Sequence, residues 1–373
     1  MKIATITCHD VYNYGASLQA YALQHYLESI GHNCQIIDYK PDYLSNHYNL
    51  RSVANPRFDK PMLRQLYLMA KLPGRIGSLS RKRRFDRFTS DYLHLTTTRY
   101  ASSDQIAANC PKADVYIAGS DQIWNTFFQN GRDKAFYLDF AKGKGRLVSY
   151  AASFATEKIF NDADDFVRSE LKNFDAVSVR ESSALTLLEA LGRNDGALVC
   201  DPVFLLEKEQ WEKLSEKAEP QNPKYGDYIF LYDCERSEKL KNIAVALKKM
   251  SGCKIVSVSP TKGRYADYDC EMSGPLEFLD LLARSRYVVA NSFHALAFAL
   301  IFQKPFFIAN RSEGINTRMR DFLQLISLSN RLIDSFEQLT FTDIDYSKTG
   351  ATLSLLIKKS KNFLEEQTLV LLL

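Results

Sequence analysis

The segment Tyr287–Asn310 reads YVVANSFHALAFALIFQKPFFIAN, and its punctuation decides what kind of fold the chain can adopt. Val288, Val289 and Ala290 form a short apolar run suited to a strand buried on both faces. Asn291 and Ser292 give a helix-start signal, and Ala295–Phe302 continues as an apolar helix until Lys304-Pro305 ends it. Phe306-Phe307-Ile308 starts another strand. The unit is strand, turn, helix, strand, with His294 in the first helical turn. In an open α/β sheet, ligands bind outside the carboxyl ends of the strands, where a helix N-terminus offers free N–H groups to an anion. Asn291, Ser292 and His294 stand at that place. The alternative is that Ser292 only caps the helix and His294 packs beneath a loop.

The same rhythm opens the chain. Lys2–Thr7 is an apolar strand, Cys8–Tyr14 a turn, Ala16–Ile30 a helix stopped by Gly31, and Cys34–Tyr39 a second strand. That order begins a parallel, doubly wound sheet. The turn lacks G-x-G-x-x-G, so NAD binding is not supported. Gly15 would let backbone approach a ligand closely, with Asn13, Tyr14 and Gln19 as polar candidates; equally, Asn13-Tyr14-Gly15 is a tight turn and no more. Asp114–Ala118 is the next strand and runs into Gly119-Ser120-Asp121-Gln122-Ile123-Trp124-Asn125, which sets a hydroxyl, a carboxylate and an amide where α/β chemistry usually sits. Trp124 either stacks on a sugar face or anchors the loop in the core.

Two further strands, Leu147–Ala151 and Ala176–Val179, follow. The second ends in Arg180, suited to grip a carboxylate or phosphate bidentately, unless it only forms a surface pair with Glu181. Leu198–Cys200 leads into Asp201–Leu205, read as a crossing point between domains. The alternation then restarts with Tyr228–Tyr232 as strand, Ser237–Met250 as helix, Lys254–Val258 as strand and Pro275–Ala283 as helix. Arg318, Arg320 and Asp321 begin a helix running to Ile326, and Thr352–Leu373 is a helical tail ending in an apolar LVLLL. The expected fold is α/β, two Rossmann-like domains facing across a cleft: residues 1–205, then 206–345, with 346–373 sent back across the cleft. A length of 373 residues suits two domains, each usually taking roughly 100–200.

Residues Lys40–Thr98 break the rhythm with Pro41, Pro56, Pro61 and Pro73 and a basic segment from Lys71 through Arg87, beside apolar Met62-Leu63 and Leu66–Met69. Such an excursion either lies on an anionic membrane surface, near a pyrophosphate-bearing lipid, or is a solvated helical arm. Nucleic acid is disfavoured, because the run is short and Asp86 and Asp91 interrupt it. The net charge of +4 on 42.6 kDa singles out no partner. Seven scattered cysteines without a C-x-x-C pair fit reduced thiols and offer no zinc spacing. The start lacks a signal peptide and no apolar run nears the roughly 20 residues of a membrane span, so a cytoplasmic location is expected.

Taken together, Asn13–Leu27 (NYGASLQAYALQHYL), Tyr116–Asn125 (YIAGSDQIWN), Ser149–Phe154 (SYAASF), Val177–Glu181 (VSVRE), Asp201–Leu206 (DPVFLL), Gly274–Leu282 (GPLEFLDLL) and Asn291–Phe306 (NSFHALAFALIFQKPF) resemble the polysaccharide pyruvyl transferase family in kind and order. The resemblance implies a GT-B-like domain pair, phosphoenolpyruvate as donor and a sugar of a bacterial surface polysaccharide as acceptor. The product it implies is a pyruvate ketal with release of phosphate. Many members carry R-L-H where this chain has Ser292-Phe293-His294, which removes one positive charge. On this reading His294 is the general acid/base, since imidazole titrates near working pH, and Asp121 the base for a sugar hydroxyl. Arg180 and Arg318 hold the donor's anionic groups, with Asn291 and Ser292 on its phosphate. Asn13, Tyr14, Gln19, Ser120, Gln122 and Trp124 face the acceptor, a sugar or lipid-linked oligosaccharide. No metal or separate cofactor is expected. A sugar-nucleotide glycosyltransferase uses the same architecture, and a non-catalytic glycan- or anion-binding protein is the other alternative.

Overall fold

The computed structural model describes residues 1–44, 63–65, 67–70, 77–219, 225–260, 265–312 and 316–369. Pro56, Pro61, Pro73, Met62, Leu66, Lys71 and residues 370–373 of the apolar end lie outside them. The first sheet contains β1 (Lys2–Ile6), β2 (Asn33–Tyr39), β3 (Leu95–Tyr100), β4 (Val115–Ala118) and β5 (Arg146–Ser149), in the order β3-β2-β1-β4-β5 and parallel throughout. A short pair, β6 (Ser178–Val179) and β7 (Ala197–Leu198), extends this row through the bridges Val148 to Ala176 and Ala152 to Val179. The second sheet is built from β8 (Tyr228–Tyr232), β9 (Lys254–Ser257), β10 (Tyr268–Asp269), β11 (Tyr287–Ala290) and β12 (Phe306–Ile308), in the order β10-β9-β8-β11-β12. Both sheets thus repeat one parallel winding, in which the first strand lies between the second and the fourth. That strand pair is where the winding changes direction and a crevice opens at the carboxyl ends. The expected α/β class and Rossmann-like repetition are what forms.

The connecting helices are α1 (Tyr14–Ser29), α2 (Leu79–Tyr92), α3 (Ser103–Ala108), α4 (Asp164–Leu171), α5 (Ser182–Ala190), α6 (Lys208–Ser215), α7 (Glu238–Ser251), α8 (Pro275–Arg284), α9 (Phe293–Ile301), α10 (Thr317–Leu325) and α11 (Tyr346–Leu369). The tail helix α11 begins earlier than its sequence suggests because Asp345 Oδ1 accepts from the Ser347 and Lys348 amides, at 3.1 and 3.3 Å, and so caps it. It starts on the second sheet's side, where Tyr346 donates to the Lys304 carbonyl at 2.7 Å. It finishes against the first, where Ser360 Oγ accepts from the Cys200 amide and Tyr26 donates to Glu365.

Apolar packing joins the two halves, and one buried cluster runs from Leu18 and Leu23 through Trp211 and Phe278 to Phe298. Tyr14 is the pin of this seam. Its ring stacks between Phe85 at 5.3 Å and Phe278 at 4.6 Å, and its hydroxyl hydrogen-bonds the Val258 and Ser273 carbonyls, each at 3.2 Å. Helix α2, which carries Arg81 to Arg87 of the basic segment, straps the same seam and is not a free arm. Arg81 is buried, lies over the Phe85 ring and donates to the Tyr12 carbonyl at 3.0 Å, while Arg84 reaches the Met272 carbonyl at 2.8 Å and also pairs with Glu219. Arg83 and Arg87 remain exposed. All seven cysteines are free thiols, and no helix among the described residues is long and apolar enough to cross a membrane.

Candidate functional site

Both direction-change points send residues to one place. Beyond β4 comes Asp121, beyond β6 Arg180, beyond β7 Asp201, and beyond β11 the Asn291–His294 turn that starts α9. Arg318 arrives from the first turn of α10. Arg180 is buried, and its Nη1 pairs with Asp201 Oδ2 while its Nη2 lies 3.5 Å from Asp121 Oδ1. The surface pair with Glu181 does not form; Arg180 instead lies over the Phe293 ring at 4.7 Å. Asp201 also meets His294, with Oδ2 3.4 Å from Nε2, and its Oδ1 accepts from the Val203 amide. Arg318 Nη1 stands 3.7 Å from Asp121 Oδ1.

A glycine completes the histidine's setting. A Cβ placed on Gly15, in the first turn of α1, would lie 2.0 Å from His294 Nδ1. The close backbone approach that Gly15 permits is therefore to the imidazole from the other half of the molecule.

The charges shape each other. Burial alone would raise the Asp121 carboxyl, but the facing Arg180, His294 and Arg318 outweigh it and hold it below the usual range. Asp201 is likewise pulled far down against its burial, first by His294 and then by Arg180. Burial and next the Arg180 charge push the Arg318 guanidinium down to about 10, so this cation is short of negative neighbours. Glu181 moves the other way: burial raises its carboxyl, although Oε1 accepts from Ser153 Oγ and the Ala155 amide, each at 2.9 Å. Arg180 Nε, Glu181 Oε2, Thr317 Oγ1 and Arg318 Nε are sealed from solvent without hydrogen-bond partners, as expected where a ligand supplies what the protein does not. A cavity of about 250 Å³ adjoins Arg180 and Glu181, walled by Leu198, Phe322 and Leu325. Asp121 sits at a φ of +75°, a conformation that non-glycine residues rarely adopt.

Several sequence candidates have other work. Asn291 is fully buried and ties strand ends together, accepting from the Cys234 amide at 2.8 Å and donating to Asp233 at 2.9 Å. Tyr14 is consumed in the seam. Gln19 is buried, donates to Thr7 Oγ1 and accepts from the Ser120 amide, while Ser120 donates to the Ala151 carbonyl at 2.8 Å. Trp124 is the loop's anchor, stacked on Tyr137 at 5.5 Å with its indole N–H donating to the Phe136 carbonyl. Asn13 caps α1, accepting from the Ala16 amide at 3.2 Å. Gln122 turns to Arg318, and its oxygen so oriented accepts from Nη2 at 2.7 Å. Ser292 is half-buried and its hydroxyl makes no capping bond to α9, which leaves it available. Sequence reasoning missed Asp201, read there as a linker, although its place just past a strand end is the argument that found Arg180. Among the described residues no group of three or more His, Cys, Asp or Glu side chains could hold a metal ion.

Among solved structures, the chain is similar to Staphylococcus aureus MnaA, in a structure with UDP, at 11% identity and a TM-score of 0.51 over 96% of this chain and 90% of that one. It is also similar to the glycosyltransferase AviGT4 of avilamycin A biosynthesis, at 10% identity and a TM-score of 0.49 over 100% and 98%. The UDP-GlcNAc 2-epimerase of Methanocaldococcus jannaschii follows at 13% identity and 0.43 over 99% of each chain. At such identity the likeness to MnaA concerns the fold alone, a pair of Rossmann-like halves. No curated protein matches in sequence. Residues 13–313, from the cap of α1 to beyond β12, match the sequence profile of the polysaccharide pyruvyl transferases, and the chain belongs to that family.

Proposed function

We propose that the protein transfers the enolpyruvyl group of phosphoenolpyruvate to two hydroxyls of a sugar in a surface polysaccharide or its lipid-linked precursor. The observation that carries this reading is the buried Arg180–Asp201–His294 cluster, facing Asp121 and the under-neutralised Arg318 at the strand ends of both sheets. Phosphoenolpyruvate brings a carboxylate and a phosphate, and two arginines with unused N–H groups answer that demand. An anion between them would offset the burial and, after it, the Arg180 repulsion that depress Arg318. The Ser292 hydroxyl and the first free amides of α9 add neutral donors for the phosphate.

The first acceptor hydroxyl adds to C2 of the enolpyruvyl group as a proton from His294 reaches C3, turning the methylene into a methyl, and the hydroxyl's own proton passes by way of Asp121 back to the imidazole. On this reading His294 delivers that proton, and the reading is supported by its unbonded Nε2, 3.4 Å from Asp201 Oδ2, and by the Gly15 backbone packed against Nδ1. Phosphate then leaves with the electrons of its bond to C2, and the second hydroxyl adds to the resulting oxocarbenium carbon. Its proton leaves with the phosphate. Asp121, kept ionised by its neighbours, accepts a hydrogen bond from the incoming hydroxyl and steadies the positive centre.

Calorimetric titration of phosphoenolpyruvate into the native protein and the Arg180→Ala variant, beside a nucleotide-sugar control, tests the donor. Binding of phosphoenolpyruvate that disappears in the variant is expected. Heat from the nucleotide-sugar alone would replace pyruvyl transfer with glycosyl transfer.

A further inference from the structure

Trp124 is buried, but the loop that follows Asp121 also carries exposed aromatic rings. Phe127 and Phe128 are 51% and 40% exposed, and of the large exposed apolar side chains among the described residues they are the pair adjacent in sequence. Their rings meet edge to face at 5.1 Å, and Phe127 meets Phe160 in the same way at 5.6 Å. Lys158 lies over the Phe160 ring at 4.9 Å. Three rings from two loops thus meet edge to face in one cluster, with a cation over the Phe160 ring.

This surface is held firmly. The Phe127 amide donates to Asn125 Oδ1, Asn130 donates to the Gln122 carbonyl, and Thr126 joins the loops by accepting from the Phe160 amide at 2.8 Å and from Asn161 at 2.7 Å. These bonds fix the backbone that carries the rings. Both loops are also tied to the helix that carries Arg318: Gln122 contacts Arg318 itself, and Glu157 pairs with Arg320 at 2.6 Å. Phe127 and Phe128 therefore lie on the same loop as Asp121, and Phe160 on the second loop bonded to it through Thr126.

We propose that Phe127, Phe128 and Phe160 form the platform on which the acceptor sugar, or the residue next to it in the glycan, lays its apolar face. A pyranose presents axial C–H groups on one face and hydroxyls around its edge. A rigid aromatic surface matches the former, while Lys158 and Asp121 can bond the latter. This inference rests on the reading of the site as a pyruvyl transferase, and it assigns to these phenylalanines the stacking that Trp124 cannot perform.

The test compares the native protein with Phe127→Ala and Phe127→Ala/Phe128→Ala variants, which remove exposed side chains and leave the buried cluster intact. Binding to an array of bacterial polysaccharides and oligosaccharides is read by fluorescence, and phosphoenolpyruvate binding is read separately by calorimetry. The expected result is about tenfold weaker glycan binding per lost ring contact, with phosphoenolpyruvate affinity unchanged. Undiminished glycan binding in the double variant, or no glycan bound by the native protein, overturns the platform. Binding of native protein to vesicles of phosphatidylglycerol and phosphatidylethanolamine that is lost in the double variant, with glycan binding kept, reassigns the rings to a membrane surface and also overturns it. Failure of the pyruvyl-transfer reading itself shows elsewhere, as absence of phosphoenolpyruvate binding in every form.

Discussion

Substituting Gly15 by alanine should disable the site while leaving the fold in place. The new methyl would lie 2.0 Å from His294 Nδ1, 2.2 Å from Cγ and 2.7 Å from Cε1. Restoring an ordinary contact of 3.4 Å requires the ring to move by about 1.4 Å. The ring cannot move freely, because Asp201 Oδ2 stands 3.4 Å from its Nε2 and the surrounding helix α9 is buried. Overpacking of this kind costs about 1–3 kcal/mol, and alanine recovers about 0.5–1 kcal/mol of that as a better helix former than glycine. The net loss is a small part of a stability of about 5–15 kcal/mol, so the variant should fold. A displacement of about 1 Å in a catalytic group is enough to lose about 100-fold in rate. Phosphate release from phosphoenolpyruvate in the presence of acceptor should fall by that order, and the His294 imidazole resonance should move. Unchanged turnover together with an unshifted imidazole signal would refute the argument that Gly15 sets the position of His294.

Three further perturbations probe the electrostatics and the seam. Asp201→Asn removes the carboxylate shared by Arg180 and His294, and breaking a buried pair costs about 3–5 kcal/mol, so its urea midpoint should drop sharply; a midpoint equal to the native one would show that Asp121 alone satisfies Arg180. Because the folded Asp201 carboxyl lies below its ordinary 3.8, its contribution is present above that value and is lost as pH falls through it towards the folded one. Urea titrations carried into that acid range should show the native protein losing stability faster than Asp201→Asn, and parallel acid limbs would contradict the assignment. Arg318→Ala should weaken phosphoenolpyruvate binding by about 10–100-fold, the worth of a charge-assisted hydrogen bond, with Arg318→Lys recovering only part because the planar fork is lost; equal calorimetric affinities would remove Arg318 from the donor site. Tyr14→Phe keeps the ring stack and deletes the hydroxyl's bonds to the Val258 and Ser273 carbonyls, for a loss of about 1–2 kcal/mol, and a thermal midpoint unmoved by it would mean the apolar seam alone joins the halves.

Much of the molecule was legible in the chain itself. Period, caps and stops along Tyr287–Asn310 gave strand, turn, helix and strand in their observed places, because those signals act between residues close in sequence. The rule that ligands meet strand ends singled out Asp121, Arg180 and His294, side chains that the fold brings to one cluster. What sequence could not supply was the partner of each side chain. Asn291 and Ser120 are polar residues just past strand ends, like Asp121 and Arg180, while Gln19 lies in α1 and Trp124 in the loop after β4. Only packing from distant strands showed that Asn291 holds Asp233 and Cys234, that Gln19 holds Ser120, and that Trp124 stacks on Tyr137. Asp201 shows the reverse case, since a carboxylate before proline reads as a turn until Arg180 and His294 are brought to it. Local periodicity fixes elements and their ends, whereas a buried charge takes its meaning from neighbours that the chain keeps up to hundreds of positions away. Tyr14 makes the point most plainly: its neighbours in sequence form a helix start, and its neighbours in space, Phe85 and Phe278, make it the pin between two sheets.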